Sequence, residues 1–156
     1  MQVNGWGLHQ FHLFEEILRD LIRDVQALQT ADPVGYVHHQ KSKFLKRVRI
    51  AIGQTVPADP NHKNFRLGGT LGDRHKSWRR VKGGLPDRYR LFFQFSSTDK
   101  SIVYAWLNDS TCLRQDGAKT DVYRVFKWMI SNGKVANNYA ELKAAANELK
   151  FKPGKE

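Results

Sequence analysis

WRRVKGGLPDRYRLFF, residues 78–93, reads as two β-strands joined by a Gly-Leu-Pro-Asp turn. Side chains alternate between the two faces of a strand. Arg80 and Lys82 therefore share one face of the first strand, and Arg88 and Arg90 share one face of the second. Tyr89, Leu91, Phe93 and Phe95 point the other way. The hairpin so described has an apolar back and a cationic front. Like charges on facing positions destabilise a sheet, so something anionic is expected against that front.

Outward from this hairpin the chain organises as one domain over 1–156. Strands are expected over 78–82, 89–95 and 102–107, separated by GGLPD and SSTDK turns. Upstream, Phe14, Ile17, Leu18, Leu21, Val25 and Leu28 recur at helical spacing and predict a helix over 11–28. The TADP turn ends it. A second helix is expected over 37–56, with Phe44, Leu45, Val48, Ala51, Ile52 and Thr55 as its stripe. Its lysines and arginines read as a solvated face. Residues 57–77 read as a long loop anchored by Phe65, Leu67 and Leu71. Downstream, helices are expected over 121–131 and 139–149, with a fraying tail. The order gives an α+β domain of two layers, a helix pair on a mostly antiparallel sheet, followed by C-terminal helices.

The net charge of +11 is concentrated. Residues 38–95 hold 14 basic and 3 acidic side chains, whereas residues 1–37 hold 2 and 5. A clustered basic field attracts nucleic acid or another polyanion. Cys112 is the single cysteine, which excludes an internal disulfide and fits a reducing cytoplasm. No apolar run is long enough to cross a membrane, and MQVNGWGLHQ does not read as a signal peptide.

There is no Gly-rich phosphate loop, HExxH or cysteine cluster, and the six histidines form no ligand pattern. No cofactor or metal is expected. What remains, cations interleaved with aromatics, suits the binding and cutting of RNA. Cleavage by the ribose 2′-hydroxyl needs a proton acceptor, charge stabilisation at phosphate and a proton donor to the leaving 5′-oxygen. Arginine forks recognise phosphate bidentately. A lysine among arginines yields its proton more readily, and Lys82 lies in such company. Arg66, Lys76, Arg79 and Arg88 are candidate RNA contacts, although Arg79 sits on the apolar parity and reads equally as structural. Trp6, Trp78, Trp106 and Trp128 read as core rather than base-stacking platforms. Thr120 or Asp121 reads as a helix N-cap.

Several segments together resemble the YhaV-type toxins of bacterial toxin–antitoxin modules, within the RelE-like superfamily. They are VNGWGL, PxxxxFRxGxxLG over 60–72, WxRVKxG from Trp78, RYRLFF from Arg88, and WLND…LR…G.KTDVYRVF over 106–126. The resemblance implies an mRNA-cutting toxin that acts on translating ribosomes. It also implies a PrlF-type antitoxin, with which the toxin could form a hetero-oligomer. By that resemblance Arg80 and Arg90 clamp phosphate, Lys82 is the base, Arg114 or Lys119 the acid, and Tyr123 stacks a base. The sequence departs from the pattern at Cys112 and Asp116, where threonine and tyrosine are expected, and Asp116 places a carboxylate near Arg114. The alternative reading is a non-catalytic RNA- or ribosome-binding protein using the same cationic sheet.

Overall fold

The computed structural model describes residues 1–150. The fraying expected of the tail lies almost wholly outside the described residues. The meander is present, as β3 (Arg79–Val81), β4 (Leu91–Ser96) and β5 (Ser101–Leu107). Two further strands precede it, β1 (Gln2–Val3) and β2 (Trp6–Gln10), and β6 (Asn147–Glu148) follows near the C-terminus. The sheet runs β1-β2-β5-β4-β3, with β6 on β2. Every pairing is antiparallel except β2 with β5. That parallel pair needs a long crossover, and the two N-terminal helices supply it.

These are α1 (His12–Ala31) and α2 (Gln40–Ile50). A 3-10 turn, Gly35–His38, joins them. α2 does not stay α-helical to residue 56. It widens into a π-helical segment over Ala51–Thr55 and ends in the one-turn α3 (Val56–Ala58). The loop beyond α3 is pinned by the buried Phe65, Leu67 and Leu71, as their apolar character requires. After β5 come α4 (Val122–Ser131) and α5 (Tyr139–Ala144). The helix expected over 139–149 stops early, because Asn147 and Glu148 pair with Gln10 and His9 and extend the sheet.

Both faces of the sheet are buried, which corrects the two-layer expectation. One face packs Leu91, Phe93, Ile102 and Tyr104 against Phe14, Leu18 and Leu21 of α1 and Leu45 and Val48 of α2. The other packs Phe92, Val103, Ala105 and Trp106 against Val122, Phe126 and Ile130 of α4 and Leu142 of α5. The sheet is thus the middle of three layers. The cationic front is corrected with it. Arg80 is in register with Phe92, on the face that α4 covers.

Candidate functional site

Arg90 immediately precedes β4 and is only 8% exposed. Its backbone N–H donates to Asn108 Oδ1 at 2.7 Å, its Nη1 to Tyr89 O at 2.8 Å and its Nε to the Tyr123 hydroxyl at 3.1 Å. Arg80, on β3, sends its own Nε to the same hydroxyl at 3.1 Å, and its Nη1 to Asn64 O and Arg66 O at 2.8 and 3.2 Å. The two guanidinium groups therefore converge on one phenol oxygen. Neither pairs with a carboxylate among the described residues. A buried cation without a counter-ion is unfavourable, so this convergence favours an incoming anion.

Tyr123 sits in the first turn of α4 and is buried, at 9% exposure. Its ring meets Phe92 edge-on at 5.9 Å, and the Arg114 guanidinium lies 5.2 Å from its centroid. The ring is buried in the core, and its hydroxyl accepts from both arginines. Arg114 is held in turn by Asp121, whose Oδ1 accepts from Arg114 Nη1 at 2.7 Å, with Asp116 farther off at 3.8 Å. The hydrogen bond to Asp121 holds the Arg114 proton more tightly than usual. Asp121 is also the N-cap of α4, its Oδ2 accepting from Tyr123 N at 3.1 Å. Burial pushes its carboxyl up, but the bonds from Arg114, Gln115 N and Tyr123 N more than offset this and leave it below its ordinary range.

Lys82 lies one residue beyond β3 and is exposed. It lines an open cleft of about 730 Å³ together with Arg80, Arg66, Lys63, His62 and Asp59. The structure thus places Arg80 between two groups: Arg90, Tyr123 and Arg114 behind it, and Lys82 and Arg66 along the cleft. Lys119 is not among them. It lines a separate hollow with Arg124, Val125 and Trp128.

The remaining candidates are engaged elsewhere. Arg88 adopts φ 72°, so it is a turn residue and not a partner of Arg90 on a strand face. Its Nε donates to Arg114 O at 3.0 Å, tying the long connector down. Arg79 lies over the Phe95 ring at 5.6 Å and donates to Lys76 O at 2.8 Å, which fits its structural reading. Lys76 is exposed and pairs with Asp73 at 3.4 Å. Trp6, Trp78 and Trp106 are buried, but Trp128 is 57% exposed, contrary to its core reading.

Two positioning residues escaped the sequence reading. Asn108, 1% exposed, also donates to Arg88 O at 3.2 Å and Cys112 O at 2.9 Å. Asp121 was read only as a cap, and its role in holding Arg114 depends on a contact seven residues back along the chain. The available signal was a buried-type Asn directly after a strand, in WLND.

Residues 8–147 match the model of a family described as toxins with endonuclease activity, of toxin–antitoxin systems. The chain is 40% identical over 133 residues to "Toxin YhaV" of Escherichia coli O6:H1, and 39% identical to "Ribonuclease toxin YhaV" of strain K12. Each comparison covers 85% of this chain and 86% of the relative. No solved structure matches.

Proposed function

The chain belongs to the YhaV family of toxins with endonuclease activity, and from that premise we propose that it cuts mRNA on translating ribosomes by metal-free acid–base chemistry in the cytoplasm. The observation that carries the reading is the convergence of Arg80 and Arg90, without a carboxylate partner, on the Tyr123 hydroxyl. Such a pair suits a phosphodiester in the transition state, where negative charge develops on the non-bridging oxygens. Lys82, at the cleft wall, takes the proton of the 2′-hydroxyl as a neutral amine and becomes the ammonium. The 2′-oxygen then bonds to phosphorus as the bond from phosphorus to the 5′-oxygen breaks. Arg114 stabilises the departing oxygen by charge, since its pairing with Asp121 makes it a poor proton donor. The departing oxygen takes its proton from water in the open cleft.

Product ends test this chemistry. Cleavage should leave a 2′,3′-cyclic phosphate and a 5′-hydroxyl that a polynucleotide kinase can label directly. A 5′-phosphate end contradicts it. A binder that does not cut would give neither product, yet would still shift RNA in a gel. The partner that restrains the toxin is proposed to be an acidic, PrlF-type antitoxin, because a surface of this charge is masked by carboxylates.

A further inference from the structure

The outer face of α4 carries a feature that the cutting site does not use. Trp128 is 57% exposed, whereas the other three tryptophans are between 0 and 9% exposed. With Val125, Lys119 and Arg124 it lines a hollow of about 270 Å³. Neither Lys119 nor Arg124 has a hydrogen-bond or ion-pair partner among the described residues. Positions 124, 127, 128 and 131 are all exposed, and their spacing is that of one helical stripe. Trp128 follows Tyr123 by five residues, about 7.5 Å along the axis and roughly 140° around it. Trp128 therefore lies on another side of α4 from the Tyr123 hydroxyl on which Arg80 and Arg90 converge.

We propose that this hollow docks an acidic segment of the antitoxin, with an apolar side chain seated on Trp128 and Val125 and carboxylates meeting Lys119 and Arg124. The existence of that partner rests on the toxin–antitoxin reading; the location is new. Three observations favour a peptide over a nucleobase. Aliphatic surface, from Val125 with the half-buried Met129 close by on the helix, lies beside the ring. The exposed positions form a helical stripe and not a single stacking platform. Tryptophan and arginine dominate the energetics of protein interfaces, and both are present here. Two unpaired cations at a hollow with an aromatic wall match a partner that carries carboxylates around an apolar anchor. The consequence is that the antitoxin holds the toxin from the outside of α4 as well as at the cleft, so that grip and active-site masking are separable.

The test uses the folded toxin and the purified antitoxin encoded beside it. Trp128 is the one strongly exposed tryptophan among the described residues, so antitoxin binding should shift the toxin's tryptophan emission to the blue. Trp128→Ala should abolish that shift and weaken antitoxin binding about tenfold or more. Arg124→Glu should weaken it as well and make it less sensitive to salt. Both variants should bind and cut single-stranded RNA as the parent does. Unchanged antitoxin affinity in either folded variant would overturn the proposal. Loss of RNA affinity instead would overturn it too, and would make Trp128 a base-stacking platform. RNA cutting is read separately in the same variants, so failure of the docking site is distinct from failure of the cleavage reading.

Discussion

The backbone N–H of Arg90 donates to the side-chain oxygen of Asn108 at 2.7 Å, across the end of the β4–β5 pair. The Nδ2 of the same Asn108 side chain donates to Arg88 O and Cys112 O. One buried Asn thus fixes the strand entry that carries Arg90 and the start of the connector that carries Arg114. Asn108→Ala leaves a buried N–H and two carbonyls without this partner. It should lower stability by about 2–4 kcal/mol, measured by urea denaturation. Asn108→Asp should not restore it, because a carboxylate cannot donate to the two carbonyls. Parent-like stability in Asn108→Ala would remove Asn108 from the account.

Tyr123→Phe removes only the oxygen on which Arg80 and Arg90 converge. The ring's contact with Phe92 remains, so the stability loss should stay near 1 kcal/mol. RNA cleavage should fall tenfold or more, because the guanidiniums lose their common anchor. If the ring acted only by packing, Tyr123→Phe would cut as the parent does.

Lys82→Ala should abolish growth arrest and change folding free energy by less than about 0.5 kcal/mol, since Lys82 is exposed beyond β3. Arg80→Ala should also abolish it, but at a larger stability loss of about 1–3 kcal/mol, because its hydrogen bonds to Asn64 O, Arg66 O and the Tyr123 hydroxyl go with it. Growth after induction at matched protein level is the readout for both. Undiminished toxicity of either variant removes that residue from the site.

The depressed Asp121 carboxyl predicts a pH dependence. Its folded pKa lies below its unfolded value, which is about 3.9 for aspartate. Its contribution to stability is therefore complete above that value and is lost as pH falls through the folded pKa. The parent should lose thermal stability more steeply below about pH 4 than Asp121→Asn, which has no such proton to take up. Parallel acid limbs for the two proteins would show that Asp121 is not held by Arg114 in solution.

The helices and the meander were legible because their apolar periodicity is strong. The N-terminal strand had its own signal: Asn4 and Gly5 take φ 52° and 80°, the conformation that an Asn-Gly hairpin turn requires. Strand β6 is two residues long and follows three alanines, so helix propensity outweighed it in the sequence. The open cationic face was misread from parity alone. Leu91, Phe92 and Phe93 are three consecutive apolar residues, the mark of a strand buried on both faces. The exposure of Trp128 was also available, because it falls outside the 122, 125, 126 and 129 stripe of α4. Convergence of Arg80 and Arg90 on Tyr123 was not legible, since it depends on how α4 packs on β3 and β4.

In the proposed chemistry the Arg90 guanidinium, held at Tyr123 and without a carboxylate partner among the described residues, grips the phosphate that is cut. Arg90→Lys keeps the charge but loses the planar fork and the Nε bond to the hydroxyl. Single-turnover cleavage of an mRNA in a translating extract, with folding checked by thermal melting, should slow by about a hundredfold. Cleavage at the parent rate by a folded Arg90→Lys protein would contradict the account.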